Sequence, residues 1–431
     1  MARRAAKFER KFQGMLSMSG TRMAALLFAF TCVIPGPSGA DRAWGQTAPA
    51  VTEPNAPPQQ VHIGYLAHRK PAPPIYDYEA EPADSGIAGA RIAMKDNATT
   101  GRLTNQIFDL QETILEKGQS PVEAAKALAD KGAGLIVADL PADDLLAVAD
   151  ALKDRDATLF NIGAEDDRLR NADCRANIDH FAPSRQMLTD ALAQFLAAQR
   201  WRNVFLIVGT DPQDQLYAEA VRRSVKKFGL KLTGDKPWTF GPMARQRADG
   251  PIRADAFVFT RGVDADMIVI ADEAGNFGDY VEYHTAEPKL TGGTQGIIPA
   301  TWSRVLDAWG SAQLQSRFVR TNKRPMRPLD YQAWTAIRAI GEAATRTQSG
   351  SAKVIGDYML RPDFDIAAFK GVPVSLRNWD HQLRQPILLI QPRMLVSLSP
   401  QPGFLHPVTA LDSLGTDEPE STCKIRSGDK Q

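Results

Sequence analysis

Short apolar runs alternate with capped, amphipathic helices along most of this chain, and few folds accept that order. Residues 61–66 (VHIGYL) alternate as a half-buried strand does, whereas 134–138 (GLIVA), 203–209 (NVFLIVG) and 267–271 (MIVIA) read as fully buried strands. Asp84 and Ser85 open a helix through GIAGARIAMKDNA, and a strand follows at 106–110. Ser120-Pro121-Val122-Glu123 is a capping box with proline at the first helical position, and Gly132 stops that helix. Further helices are expected around 145–152, from Ser184, from Asp211-Pro212, over 275–284 and over 330–346, with a strand at 157–162. Residues 372–376 and 386–391 read as a closing hairpin. Strands of four to seven residues alternating with helices mean parallel βαβ units. The pattern restarts near residue 180, so two α/β lobes are expected. Such sheets place ligands in the loops at the C-terminal ends of strands.

The N-terminus bears on the compartment. Arg3, Arg4, Lys7, Arg10, Lys11 and Arg22 precede the uncharged run 23–34 (MAALLFAFTCVI), and Ser38-Gly39-Ala40 supplies small residues for cleavage. This pattern reads as a secretory signal over 1–40, too short for a spanning helix. Residues 41–60 are rich in Pro, Ala and Gln and read as an unstructured leader. The mature chain then keeps Cys174 and Cys423. In an oxidising compartment the economical reading is one disulfide, the other being two unpaired buried thiols. The formal net charge of +1 argues against nucleic acid as a partner.

Motifs for chemistry are missing. There is no phosphate-binding G-x-x-x-x-G-K-[ST] loop, no G-x-G-x-x-G after a strand, no G-x-S-x-G elbow and no H-E-x-x-H helix. The six histidines are scattered without ligand spacing. No enzyme and no cofactor are expected.

Residues 61–66, then Ser85-Gly86-Ile87-Ala88-Gly89-Ala90-Arg91-Ile92-Ala93 and Asp96-Asn97-Ala98, resemble the opening of type I periplasmic solute-binding proteins of the branched-chain amino acid class. The likeness continues through the Ser120-Pro121 helix, 134–138, Phe160-Asn161-Ile162-Gly163, and YQAWTAIRAIGEAA at 331–344. Residues 172–177 (ADCRAN), Ala182-Pro183-Ser184-Arg185 and a tail ending in Cys423 are similar to the subgroup found beside PQQ-dependent alcohol dehydrogenases. The resemblance implies two Rossmann-like lobes joined by a three-crossover hinge, with ligand in the cleft. Lobe 1 would cover 61–178, with 300–370 returning to it; lobe 2 would cover 179–299, with 371–395 returning, and 396–431 would form a tail. It also implies a membrane permease and its ATPase as partners.

Two loops depart from that family. Where its amino acid binders carry a small hydroxylic stretch, this chain has Gly163-Ala164-Glu165-Asp166-Asp167-Arg168; the earlier, serine-rich loop reads Asp139-Leu140-Pro141-Ala142-Asp143-Asp144. Carboxylates repel a carboxylate, so a cationic ligand or a hard metal ion such as a lanthanide, held by Glu165, Asp166 and Asp167, suits these oxygens better. The other ligand-contact candidates are Tyr65, His68, Asp143, Gly163, Ala164, Asp214, Asp272 and Glu273. Tyr76 and Tyr78 could stack on a planar organic ligand, and Tyr217 joins Asp214 in facing the cleft. For Asp143 the macrodipole of its own helix is the competing role, and for Glu165–Asp167 it is a self-paired charged turn. Two functions compete: the solute receptor of an ABC importer, and an accessory protein that kept the fold and binds a periplasmic dehydrogenase or cytochrome.

Overall fold

The structure is a computed structural model and describes residues 57–70, 81–240 and 252–425. The expected signal segment, most of the leader, and Tyr76 and Tyr78 lie outside the described residues.

The first lobe is built from β1 (Gln59–His68), α1 (Ile87–Thr104), β2 (Gln106–Leu115), α2 (Pro121–Asp130), β3 (Leu135–Asp139), α3 (Ala142–Leu152), β4 (Thr158–Asn161) and β5 (Ile178–His180). Its sheet is parallel, in the order β2-β1-β3-β4-β5. The Ser120 hydroxyl accepts from the Glu123 amide, so the cap read from sequence starts α2. Buried Leu128, Leu145, Val148 and Leu152 pack α2 and α3 on one sheet face.

The second lobe comprises α4 (Arg185–Gln199), β6 (Asn203–Val208), α5 (Pro212–Lys227), β7 (Lys231–Pro237), α6 (Ile252–Phe259), β8 (Met267–Ala271), α7 (Gly278–Tyr283), β9 (Leu290–Gly293) and β10 (Ile298–Ala300). Strands β7-β6-β8-β9 form a second parallel sheet. The chain then supplies α8 (Ser311–Asn322), α9 (Pro328–Thr347) and α10 (Ala352–Met359) to the first lobe's core, where Trp302, Phe318, Tyr331, Trp334 and Ile355 pack with Ile63 and Tyr65. Contact between α1 and α9 is so close that a methyl at Gly89 would overlap the Asp330 carbonyl.

The last strands are β11 (Ile366–Ala367), β12 (Pro373–Leu376), β13 (Leu383–Arg384), β14 (Ile387–Gln391) and β15 (Met394–Ser399). The expected hairpin between 372–376 and 386–391 is not formed. Strand β12 pairs with β11 and β13, while β14 pairs with β10 and β15. The cause is that the chain changes cores between them: Leu383 belongs to the first, Ile387 and Leu389 to the second. This is one of three passages, the others running from Phe181 to Met187 and from Ile297 to Trp302. Polar side chains knit the passages together. Gln382 Nε2 donates to the His180 and Ala182 carbonyls at 3.2 and 3.0 Å, and Gln385 Nε2 donates to Phe181 at 3.2 Å.

Candidate functional site

The C-terminal ends of β1, β3 and β4 face the start of α4 and the loop after β8 across a cleft of about 520 Å³. A larger groove of about 800 Å³ opens on the other side of Asp166 and Arg185, beneath the C-terminal tail. The smaller cleft is the better candidate, because it gathers the loops after β1, β3, β4 and β8, whereas of these the groove takes only the loop after β4.

On the first-lobe wall, Lys70 Nζ meets Asp139 at 2.6 Å and His68 Nε2 meets Asp144 at 2.7 Å. Asp143 is exposed and pairs with Arg168. Gly163 lets Asp139 approach, since a methyl there would overlap its carboxylate. The loop after β4 is clipped by Asn161. Its Oδ1 accepts from the Gly163 and Ala164 amides at 3.2 and 2.9 Å, and its Nδ2 donates to the Ala164 carbonyl at 2.8 Å. Those two amides are therefore already satisfied and are not offered to a ligand carboxylate.

Arg185 joins the lobes. It occupies the first helical position of α4, behind the Ser184 cap, and is buried. Its guanidinium donates twice to Glu273 at 2.8 Å, to Gln213 at 2.5 Å and to Asp166 at 3.1 Å. Asp167 is also turned across the lobes, accepting from the Gln186 amide at 3.0 Å and from Arg223 at 3.1 Å. Among the described residues no three carboxylate, histidine or cysteine side chains converge as metal ligands.

Glu165 differs from its neighbours: its backbone carbonyl accepts from the Arg185 amide at 2.9 Å, but its carboxylate accepts no hydrogen bond from any described residue. Burial first, and the nearby Glu273 second, push its carboxyl up to about 7. An acid whose folded pKa stands above its ordinary 4.5 contributes most to stability below that value, and the contribution is lost as pH rises through about 7. Glu165→Gln should therefore melt with the parent protein near about pH 4 and above it near about pH 8. Parallel melts across that range check this, and a gap independent of pH would refute it. Tyr217, on α5, does not line the cleft as expected but lies in the second core, 3% exposed, with a hydroxyl that has no partner among the described residues. Burial, and after it the charges of Glu273 and Glu165, push that hydroxyl's pKa up.

His68, Asp143, Gly163, Ala164, Glu165, Asp166 and Glu273 thus line the cleft. Three other candidates do not. Asp272 is 1% exposed and accepts from the amides of Asn276, Phe277 and Gly278 at 2.8, 2.8 and 2.6 Å, which anchors the start of α7. Asp214 is buried in a capping box, accepting from the Asp211 amide at 3.2 Å and the Ala274 amide at 3.3 Å. Tyr65 lies in the first lobe's core at 1% exposure. The sequence reading missed Arg185, Gln213 and Lys70 as cleft residues and Asn161 as the clip, and it placed Asp139 in a cleft loop without naming it as a contact. The available signal for Arg185 was its place directly after a helix cap at a lobe restart.

Cys174 and Cys423 are bonded, with Cα atoms 5.7 Å apart. No helix among the described residues is long and apolar enough to cross a membrane.

Residues 88–393 match the family described as periplasmic binding protein. The chain belongs to the periplasmic binding protein family. Solved structures repeat its fold. A branched-chain amino acid ABC transporter periplasmic ligand-binding protein from Burkholderia xenovorans superposes with a TM-score of 0.67 at 17% identity, covering 85% of this chain and 100% of that one. A leucine-, isoleucine-, valine-, threonine- and alanine-binding protein from Brucella ovis, in a closed conformation, gives 0.60 at 13% identity, over 77% and 89%. A solute-binding protein of an ABC transporter from Rhodopseudomonas palustris, in complex with 3,4-dihydroxybenzoic acid, gives 0.56 at 9%, over 79% and 97%. No curated protein matches the sequence. At these identities the structural likeness carries the fold of this binding protein and not its ligand.

Proposed function

We propose that this periplasmic binding protein is the exported solute receptor of an ABC importer, taking a small polar ligand between its lobes and handing it to a membrane permease driven by an ATPase. The observation that carries the reading is the cleft itself, where charged side chains from both lobes meet at the strand ends. Ligand binding would then shift an open–closed equilibrium that the permease reads. The basic and apolar pattern of residues 1–40 supports export to the periplasm. No chemistry of its own is assigned to it.

A tie to PQQ-dependent alcohol oxidation rests on the likeness of 172–177, 182–185 and Cys423 to that subgroup. A lanthanide ligand would have to free Asp166 and Asp167 from Arg185 and Arg223, which weighs against it. The accessory-protein reading has one observation in its favour: Arg185 pairs with Glu273 and Asp166 across the cleft without a ligand.

The test is a thermal-shift panel on the disulfide-intact mature protein: amino acids, amines, short alcohols and aldehydes, PQQ, calcium and lanthanides. A solute at one hundred times its dissociation constant adds about 2.7 kcal/mol to the native state. A rise with an organic solute is expected. A lanthanide-selective rise would replace that reading with a metal receptor, and a flat panel would favour the accessory protein.

A further inference from the structure

Arg170 ends the single turn Asp167–Arg170 that follows the cleft loop; it does not line the cleft and is 2% exposed. Burial lowers its pKa to about 10, while the charges of Asp167 and Asp380 hold it up, so the guanidinium stays a cation. All of its hydrogen bonds nevertheless go to neutral oxygens. Nη1 donates to the Ala164 carbonyl at 2.9 Å and the Asp166 carbonyl at 3.1 Å. Nη2 donates to the Ala182 carbonyl at 2.8 Å and reaches the Pro183 carbonyl at 3.5 Å, and Nε donates to Gln382 Oε1 at 2.8 Å. Ala164 and Asp166 belong to the cleft loop, and Ala182 and Pro183 to the first passage between the lobes. Gln382 stands at the head of the last passage, where its own Nε2 holds His180 and Ala182.

Desolvating a guanidinium carries a large penalty, which neutral carbonyls offset only when every N–H is well placed. A lysine cannot reproduce the pattern, because only the planar fork presents fixed donors to separate stretches of chain at once. What the buried charge secures is a fixed distance between loop and hinge. The Glu165 carbonyl, between the two loop carbonyls that Arg170 holds, accepts from the Arg185 amide at 2.9 Å, so three successive loop carbonyls are pinned to the hinge side. The same loop carries Glu165 and Asp166 into the cleft wall, and the Asp166 carboxylate meets Arg185 of the second lobe at 3.1 Å. We infer that Arg170 is the positioning residue that makes the cleft loop and the hinge one rigid body, so that a solute engaging Glu165 or Asp166 turns the passages and, with them, the second lobe. Resting on the solute-receptor reading for what that movement serves, the assignment deepens it by naming the residue through which binding reaches the hinge.

Native-state hydrogen exchange in rising urea, without any solute, tests it on the parent protein. The Gly163 and Ala164 amides, held by Asn161 Oδ1, report the loop. The His180 and Ala182 amides report the hinge; each donates at 2.9 Å, to the His381 and Asn161 carbonyls respectively. A bolted body opens as one, so all four amides should share one opening free energy and one urea dependence. Arg170→Lys keeps the charge and loses the fork. In that variant the loop pair should exchange about tenfold or more faster than the hinge pair, the effect of losing one hydrogen bond to a charged group. A residue that merely fills the core would shift all four amides equally, in step with the strand amides of β3. That result, or a loop pair that already opens separately in the parent, would overturn the coupling and leave the solute receptor standing. If Arg170→Lys does not fold, the parent comparison decides alone. A flat thermal-shift panel removes the solute receptor instead and leaves the exchange result unchanged.

Discussion

Replacing Cys174 and Cys423 together by serine is expected to destabilise the protein by about 2–4 kcal/mol and to widen the opening of the two lobes. The bond closes a loop of 249 residues, for which the chain-entropy account gives up to about 5 kcal/mol. The second effect follows from what the bond connects. Cys174 sits in the first-lobe loop between buried Leu169 and Ile178. Cys423 ends a tail that is anchored in the second lobe: Leu414 is in its core, Gly415 donates to Asp190 at 2.8 Å and accepts from Lys227 at 2.7 Å, and Thr416 meets Gln186 at 3.1 Å. The segment from Thr416 to Cys423 could reach about 25 Å if fully extended, but it is gathered by a short helix at Glu418–Glu420 and by the His406–Asp417 pair at 3.0 Å. The tail is therefore a strap across the lobes, and opening must unravel it. Melting curves with and without reductant measure the first effect. Small-angle scattering of parent and variant measures the second, and an unchanged radius of gyration would reduce the bond to a plain stabiliser.

Much of the fold was legible because its signals are local. A run such as LIVAD at β3, or Ser120 three residues before Glu123, carries its own structural meaning within a few residues. The pairing of β14 with β15 was not legible, since nothing near 386–391 says that the chain has just crossed to the other core. The same limit governs the site. Asp272 follows a strand, which suits a ligand contact and a helix anchor equally, and only the three amides arriving from 276–278 decide between them. Arg185 took its meaning from Glu273, 88 residues away. Glu165 was found by type and position, yet what sets it apart from Asp166 and Asp167 is the absence of a partner, a three-dimensional property. The two cysteines left pairing and free thiols open, and the bond is formed.

Asp412→Ala is expected to cost about 3–5 kcal/mol, the largest single-residue loss predicted for this protein. Asp412 is fully buried and accepts from Arg377 Nε at 2.9 Å and from Arg384 Nε at 2.9 and 3.1 Å. Arg377 is itself 1% exposed and also donates to the Leu414 carbonyl at 2.7 Å and the Thr416 carbonyl at 3.2 Å. Both guanidiniums flank the Trp379 ring, at 5.2 and 5.1 Å. Removing the carboxylate leaves Arg377 with Asp380 alone, at 3.5 Å, as its ionic partner, and leaves Arg384 with none among the described residues. Urea unfolding reads the loss, and a cost under about 1 kcal/mol would mean that the two arginines find water instead. The same substitution tests the strap. Arg377 and Arg384 adjoin Leu376 and Leu383 of the first core, so Asp412 ties the tail to the first lobe in parallel with the Cys174–Cys423 bond, and the double serine replacement should widen the opening more in the Asp412→Ala background than in the parent. Widening that is merely additive would mean that the two ties act independently; widening beyond additivity is the signature of two parallel ties on one strap.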